Sequence, residues 1–239
     1  MLYVRPTACY GQLMCSRFAL KSAPEIIRAT FGHLNRPNFP PRFNIAPTQP
    51  IHIVRTAAGG ARELALMRWG LLPSWVRDPH DFTTLINARG ETAAEKPSFR
   101  AAMRHRRCLI PADGFMEWTG QRGAKRPFYL RRPDEGLLAF AGLWELWQGA
   151  DGSEIESAVI LTTQANATLS PLHNRMPVIL DPEQFDAWLD CKRVSPADIA
   201  EFLAPAADTL LEAAELDPGI NNPANDNPEI LAPLGGGLL

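Results

Sequence analysis

Six short apolar stretches, at 51–55, 64–69, 108–119, 127–131, 137–147 and 157–163, constrain this chain more than any other feature. They are rich in β-branched and aromatic residues and are separated by Gly, Pro or Asp turn signals, which is the pattern of strands. Ala112, Asp113 and Gly114 mark a turn or bulge inside the third stretch. Helical signals are fewer. Ser22 to Glu25 has the form of a capping box opening a helix that runs to Phe31. A second helical segment spans Glu91 to His105, broken at Pro97, and Asp181-Pro182 opens a third that runs to Asp190. Ser195-Pro196 opens a fourth, again with a capping residue before proline at the first helical position. The proline-rich connection from Pro37 to Pro50 excludes helix and favours extended backbone. No spacing repeats, so a solenoid is excluded. Strands outnumber helices without strict alternation, which predicts a single α+β domain on a curved antiparallel or mixed β-sheet.

The 239 residues suffice for a full core. No apolar run approaches the roughly 20 residues that span a bilayer, and residues 1–13 lack the continuous apolar stretch of a signal peptide. No membrane association and a cytoplasmic location are therefore expected. The net charge of −2 conceals a split. Residues 1–132 hold 21 basic and 8 acidic side chains, a balance of +13, whereas residues 133–239 hold 3 and 18, a balance of −15. Two readings stay open: a polyanion-binding front half, or two halves that interleave in one fold and neutralise each other. The four cysteines, Cys9, Cys15, Cys108 and Cys191, show no C-x-x-C spacing, and the five histidines form no H-x-x-x-H. Neither a zinc site nor a disulfide framework is indicated, and metal-free, cofactor-free chemistry is expected.

Cys15, in Met14-Cys15-Ser16-Arg17, becomes residue one if a short leader is removed or translation begins at Met14. An N-terminal cysteine carries a thiol and a free α-amine on adjacent carbons, and the pair closes a five-membered thiazolidine on an aldehyde. The competing reading is a small buried residue near a strand, the commoner fate of a free cysteine. Glu117, between Met116 and Trp118, is either a proton shuttle with a raised pKa or a carboxylate on the wet face of its strand. By itself the second reading is the better one. His173 lies in a loop before the apolar run from Met176, where simple solvation is the ordinary outcome. Asn87 and Arg89 alternate and in a strand share one face. Trp75 is a base-stacking platform or, more commonly for tryptophan, a core aromatic.

Together, MCSRF at 14–18, FNIAPT at 43–48, WGLLPSW at 69–75, INARGET at 86–92, CLIPADGFMEW at 108–118, HNRMP at 173–177 and INNPAND at 220–226 resemble the SRAP family. These SOS-response-associated peptidase-like proteins process abasic sites in DNA, and the resemblance runs in order along nearly the whole chain. It implies a domain over residues 14–232, with 1–13 as a non-conforming leader and 233–239 as a flexible tail. It also implies a curved sheet or barrel with flanking helices. In the family an N-terminal cysteine crosslinks to the ring-opened aldehyde. The matching motifs make Cys15 the nucleophile, with Asn87, Glu117 and His173 around it. Arg17, Asn44, Pro47, Trp75, Arg89 and Thr162 match positions that touch DNA. The implied partner is single-stranded DNA containing abasic sites, bound by a monomer that is nucleoid-associated when engaged. No metal or cofactor is implied. Ser16 stands where the family has Gly, adding a side chain beside the nucleophile. While residues 1–13 remain, Cys15 has no free amine, so a start at Met14 or removal of the leader is expected. A thiol peptidase using Cys15, His173 and Asn87, and a noncovalent single-strand binding module, are the alternatives.

Overall fold

A computed structural model describes residues 15–121 and 123–238. Residues 1–14, and with them the leader and Cys9, lie outside the described residues. Two sheets form the molecule. The first is antiparallel throughout and built from β1 (Arg17–Leu20), β2 (Arg42–Ile45), β7 (Gly114–Thr119), β8 (Arg126–Arg131), β12 (Glu212–Leu216) and β13 (Pro233–Leu238). Its order is β13-β12-β8-β7-β1-β2. Residues 233–238, expected as a flexible tail, thus pair as a strand against β12.

The second sheet contains β3 (Pro50–Thr56), β4 (Arg62–Trp69), β5 (Asn87–Arg89), β6 (Arg107–Ala112), β9 (Leu138–Gln148), β10 (Glu154–Gln164) and β11 (Arg175–Pro177). Strand β10 pairs antiparallel with β9 and parallel with β4, so β10-β4-β3-β6-β9 closes into a five-stranded mixed barrel. Beyond β4, the same edge of β10 takes β5, with Asn87 opposite Ile160 and Arg89 opposite Thr162. Beyond β9, the other edge takes β11, with Thr162 opposite Pro177. The curved antiparallel and mixed architecture expected from the strand pattern is the one found, with α-helix confined to four short segments among the described residues.

The first sheet packs on the barrel through aromatics. Phe18 meets Trp69 and Phe140 edge-on at 5.2 and 6.1 Å, and Phe115 meets Phe140 at 5.8 Å. Edge-to-face contacts of this kind add to the burial of the rings. A smaller cluster of Ala19, Met116, Tyr129, Leu216 and Ile220 covers the opposite face of the first sheet. Both faces of β7 are consequently buried.

Helix α1 (Pro24–Phe31) starts after Ala23 without a side-chain cap. The capping box read at Ser22 does not form because Asp113 competes for it: the carboxylate accepts from Ser22 Oγ at 2.6 Å, Ser22 N at 2.9 Å and Lys21 N at 2.6 Å. Short helices α2 (Gly90–Ala93) and α3 (Arg100–His105) realise the interrupted segment, and α4 (Phe185–Leu189) follows a 3-10 turn at Pro182–Gln184. No α-helix opens at Ser195. Its amide and hydroxyl are held by Asp198 at 2.8 and 2.7 Å in a local turn, the alternative that Ser and Asp offer the backbone. No helix among the described residues is long and apolar enough to cross a membrane.

The charge split resolves in part into interleaving. Among the described residues, eight of ten ion pairs set a cation from 1–132 against an anion from 133–239. Arg55–Glu156, Arg106–Glu145 and Arg131–Glu212 are examples that join distant strands.

Gly114 tests the register of the first sheet. A Cβ there would lie 2.5 Å from Leu130 O and 2.6 Å from the Tyr129 ring, whereas a Cβ at Gly59 meets nothing. Gly114→Ala should lower unfolding free energy by about 1–3 kcal/mol, read from the urea midpoint, while Gly59→Ala leaves that midpoint unchanged.

Candidate active site and nucleic-acid interface

Cys15 is fully buried at the entrance to β1, in the core between the two sheets. Its backbone nitrogen donates to Glu117 Oε1 at 2.6 Å. The pairing of β1 with β7 brings the two together across 102 residues, because Arg17 registers opposite Met116. Glu117 is only 2% exposed, so the wet-face reading is overturned. Phe115 and Glu117 share the face turned to the barrel, while Met116 and Trp118 turn to the smaller cluster. Burial pushes the Glu117 carboxyl up to about 8, against the opposing pull of the Cys15 and Trp118 amides and the Lys125 charge. Near neutrality it is therefore a carboxyl that both gives and takes protons. Burial, followed by the nearby Glu117, raises the Cys15 thiol well above its ordinary range.

An open cleft of about 970 Å³ lies over Glu117, with Arg17, Pro47, Trp118, Lys125 and His173 among its other lining residues; Cys15 is buried and not one of them. Ser16 lines the cleft too. Nδ1 of His173 accepts the Arg175 amide at 3.1 Å. The neutral ring therefore carries its proton on Nε2, an atom that is buried and has no hydrogen-bond partner among the described residues. Burial first, then the charges of Lys125 and Arg175, keep this imidazole below its ordinary pKa. The site offers a neutral imidazole N–H donor and a protonatable carboxyl on one cleft. Among the described residues no hydrogen bond joins His173 to the Cys15 thiol, and no group of His, Cys, Asp or Glu could hold a metal ion.

The other expected residues divide. Asn87 and Arg89 lie on β5 on either side of buried Ala88, so they share one face as the alternation predicted, but neither is among the residues that line the cleft. Arg17 lines the cleft, with its guanidinium 5.9 Å from the Trp118 ring centre and 3.4 Å from Asn221 O. Three expected DNA contacts are placed differently. Asn44 is wholly buried, and its Nδ2 faces the carbonyls of Ile220, Asn222 and Asn225 at 3.0–3.1 Å; it clamps the segment that forms one wall and does not reach the cleft. Thr162 is 3% exposed; its hydroxyl donates to Ala88 O at 3.3 Å and its carbonyl accepts from Arg175 Nη2 at 2.6 Å. Trp75 is not in the core but 58% exposed, edge-on to Phe82 at 5.7 Å, and outside the cleft walls.

Sequence reasoning passed over four residues of the cleft region. Trp118 forms a wall and is pinned by Nε1 to Asn221 Oδ1 at 2.7 Å. Lys125, from the loop between β7 and β8, places its charge near both Glu117 and His173. Arg175 makes a bidentate pair with Glu91 at 2.5 and 2.8 Å. Trp118, Asn221 and Arg175 stood inside motifs already singled out; Lys125 lies outside all of them and carries no signal of its own.

A buried nucleophilic residue beside a protonatable carboxyl, in a cleft between a half-open sheet and a barrel, defines a class of site, and the sequence comparisons place the chain. The profile of the SOS response associated peptidase (SRAP) family matches residues 14–223, and the chain belongs to that family. It is 36% identical over 222 residues to the abasic site processing protein YoqW of Bacillus subtilis, covering 91% of this chain and 99% of that one. It is 29% identical to the abasic site processing protein HMCES of Xenopus tropicalis, covering 92% of this chain and 78% of the relative. A crystal structure of a Bacteroides thetaiotaomicron protein superposes with a TM-score of 0.82 at 26% identity, over 92% of this chain and all of that one.

The carboxyl burial has a consequence for stability. The Glu117 pKa rises from 4.5 to about 8 on folding. Between those values the folded chain holds a proton that the unfolded chain releases, so this group withdraws stability as pH climbs from 4.5 through 8. Glu117→Gln keeps an acceptor for the Cys15 amide and does not titrate. The difference in melting temperature, variant minus parent, should grow from pH 5 to pH 8. A constant difference would show a carboxyl that titrates normally.

Proposed function

We propose that this protein binds single-stranded DNA and captures the aldehyde of an abasic site covalently through Cys15. The observation that carries this reading is the 2.6 Å contact between Cys15 N and Glu117 Oε1 at the cleft. The atom that becomes the α-amine once residues 1–14 are gone already lies against a carboxyl able to move its protons. The amine, with an ordinary pKa near 8, attacks the aldehyde carbon to give a carbinolamine. Glu117 accepts the amine proton and returns one to the hydroxyl, which leaves as water to give an imine. The thiol then adds to the imine carbon and its proton passes to nitrogen, closing the thiazolidine. Aminothiol and aldehyde give thiazolidine and one water, with no oxidant or metal. His173, through Nε2–H, assists opening of the sugar ring by hydrogen-bonding its departing oxygen while Glu117 passes the proton released by the anomeric hydroxyl to that oxygen, and Asn87 orients the intermediate. Arg17 and Arg89 neutralise phosphates. Holding both nucleophiles on one residue supplies the effective molarity of ring closure.

A papain-like thiol peptidase fits less well. Such chemistry needs a depressed thiol pKa and a paired imidazole, and here burial raises the thiol while His173 bonds elsewhere. Self-removal of the leader is a narrower second reading, favoured by the same Cys15 N to Glu117 contact, which puts a proton donor on the leaving nitrogen of the 14–15 bond. Intact mass of parent and Glu117→Gln protein decides it: self-processing requires the leader to persist in the variant.

Incubated with abasic single-stranded DNA, protein whose chain begins at Cys15 should form a heat-stable adduct on a denaturing gel. Cys15→Ala should abolish that adduct, whereas Cys108→Ala and Cys191→Ala leave it intact. A stable adduct from Cys15→Ala without added reductant refutes the thiazolidine. Glu117→Gln should bind DNA with unchanged affinity by fluorescence anisotropy and crosslink about 10²-fold more slowly. Equal crosslinking rates would remove Glu117 from the chemistry.

A further inference from the structure

We propose that a second cleft, between α3 and the segment 191–204, binds the phosphate backbone of the strand that flanks the reacting site. This inference rests on the DNA-binding reading above. The cleft measures about 860 Å³, and its walls present Arg100 and Arg104 from α3 and Lys192 and Arg193 from the turn after α4. All four are exposed, and none has a carboxylate partner among the described ion pairs. Other exposed cations such as Arg36, Arg77 and Lys96 also lack a partner among the described ion pairs, but these four are gathered around one cleft. The nearby acids are engaged otherwise. Glu91 holds Arg175, Asp190 caps the amides of Lys192 and Arg193 at 3.2 and 3.0 Å, and Asp198 holds Ser195. Exposed Glu201 lies on the adjoining 3-10 turn but does not line the cleft.

The walls are held in place. Buried Arg107 donates to the carbonyls of Trp188, Met103, Asp190 and Val194 at 2.6–3.1 Å, tying the end of α3 to the turn that bears Lys192 and Arg193. Arg100 and Arg104 are four residues apart on one helical face, about 6 Å along the axis, a separation that successive phosphates of one strand can meet. The cleft floor offers Met103, Val194 and Leu203 but no aromatic ring. Bases therefore gain no stacking there, and the contribution is electrostatic and sequence-independent.

Position selects the occupant. Gly90, which opens the cleft, follows directly on Arg89, and its α-carbon sits between Thr162 O and Leu203, with a Cβ reaching them at 3.3 and 3.5 Å. A strand neutralised by Arg89 thus meets this second row of cations next. An acidic protein partner would find the same charges, but nothing connects it to the first cleft.

The test compares full-length parent with the quadruple variant R100A/R104A/K192A/R193A on oligonucleotides carrying an abasic analogue without an aldehyde. One probe is a 7-mer, and two 20-mers extend it on the 5′ or the 3′ side only. The parent should bind one of the extended probes more tightly than the 7-mer, and the variant should lose that gain while matching the parent on the 7-mer. Raising salt from 50 to 200 mM weakens each phosphate contact about 2.6-fold at a slope of 0.7, so four contacts make parent affinity for that probe fall about 50-fold more than the variant's. The all-lysine version, R100K/R104K/R193K, should restore the gain. If neither extension tightens parent binding, or if the variant loses affinity equally for 7-mer and 20-mer, the second contact does not exist. Failure of the parent to bind even the 7-mer would instead overturn the reading of the first cleft. Binding of an acidic peptide, but not the extended strand, through these four residues would also overturn the proposal.

Discussion

The molecule depends on one strand having no free edge. Strand β10 is paired along both sides, by β4 and β5 on one and by β9 and β11 on the other. Closure removes the unpaired donors and acceptors that make sheet edges prone to association. It also fixes in one step the height of Asn87 and Arg89 on β5 and the entry of β11, whose preceding loop carries His173. These residues are far apart in sequence but have no independent freedom once β10 is seated.

The first sheet contributes the other half of the site by a separate device. Strand β1 threads between β2 and β7, and Asp113 seals the turn above it with three hydrogen bonds to residues 21 and 22. Glu117 is then committed to the interior by the alternation that places Phe115 in the core. An unpaired buried carboxylate is costly. The protein meets this by letting the group keep its proton and by giving it the Cys15 amide as a donor. A carboxyl that burial keeps partly neutral is able both to give and to take a proton near pH 7.

Much of this was legible in the sequence, and the exceptions have common causes. Apolar runs located the strands because burial of a strand face requires them wherever the strand pairs. Alternation correctly put Asn87 and Arg89 on one face of β5, since only one face of that short edge is packed. It misjudged Glu117 because the method assumes one wet face, and Leu216 and Ile220, about a hundred residues away, cover the second. Ser22 read as a helix cap for want of knowing that Asp113 would take its hydroxyl. Asn44 resembled a DNA contact by its motif, but its amide is consumed by carbonyls at 220, 222 and 225. Motif position marks a residue as needed; it does not say whether the need is contact or support.

The interleaved ion pairs have a consequence beyond holding strands together. A front half of +13 left bare would attract any polyanion over its whole surface. The acidic rear half, laid over it pair by pair, acts as a mask. It cancels potential where Arg55, Arg106, Arg126 and Arg131 stand, while Arg100, Arg104, Lys192 and Arg193 gather around one cleft without an acid from either half set against them among the described ion pairs. The charge asymmetry along the chain becomes, in the folded protein, an uneven surface potential whose positive ground is smaller than the sequence alone suggests.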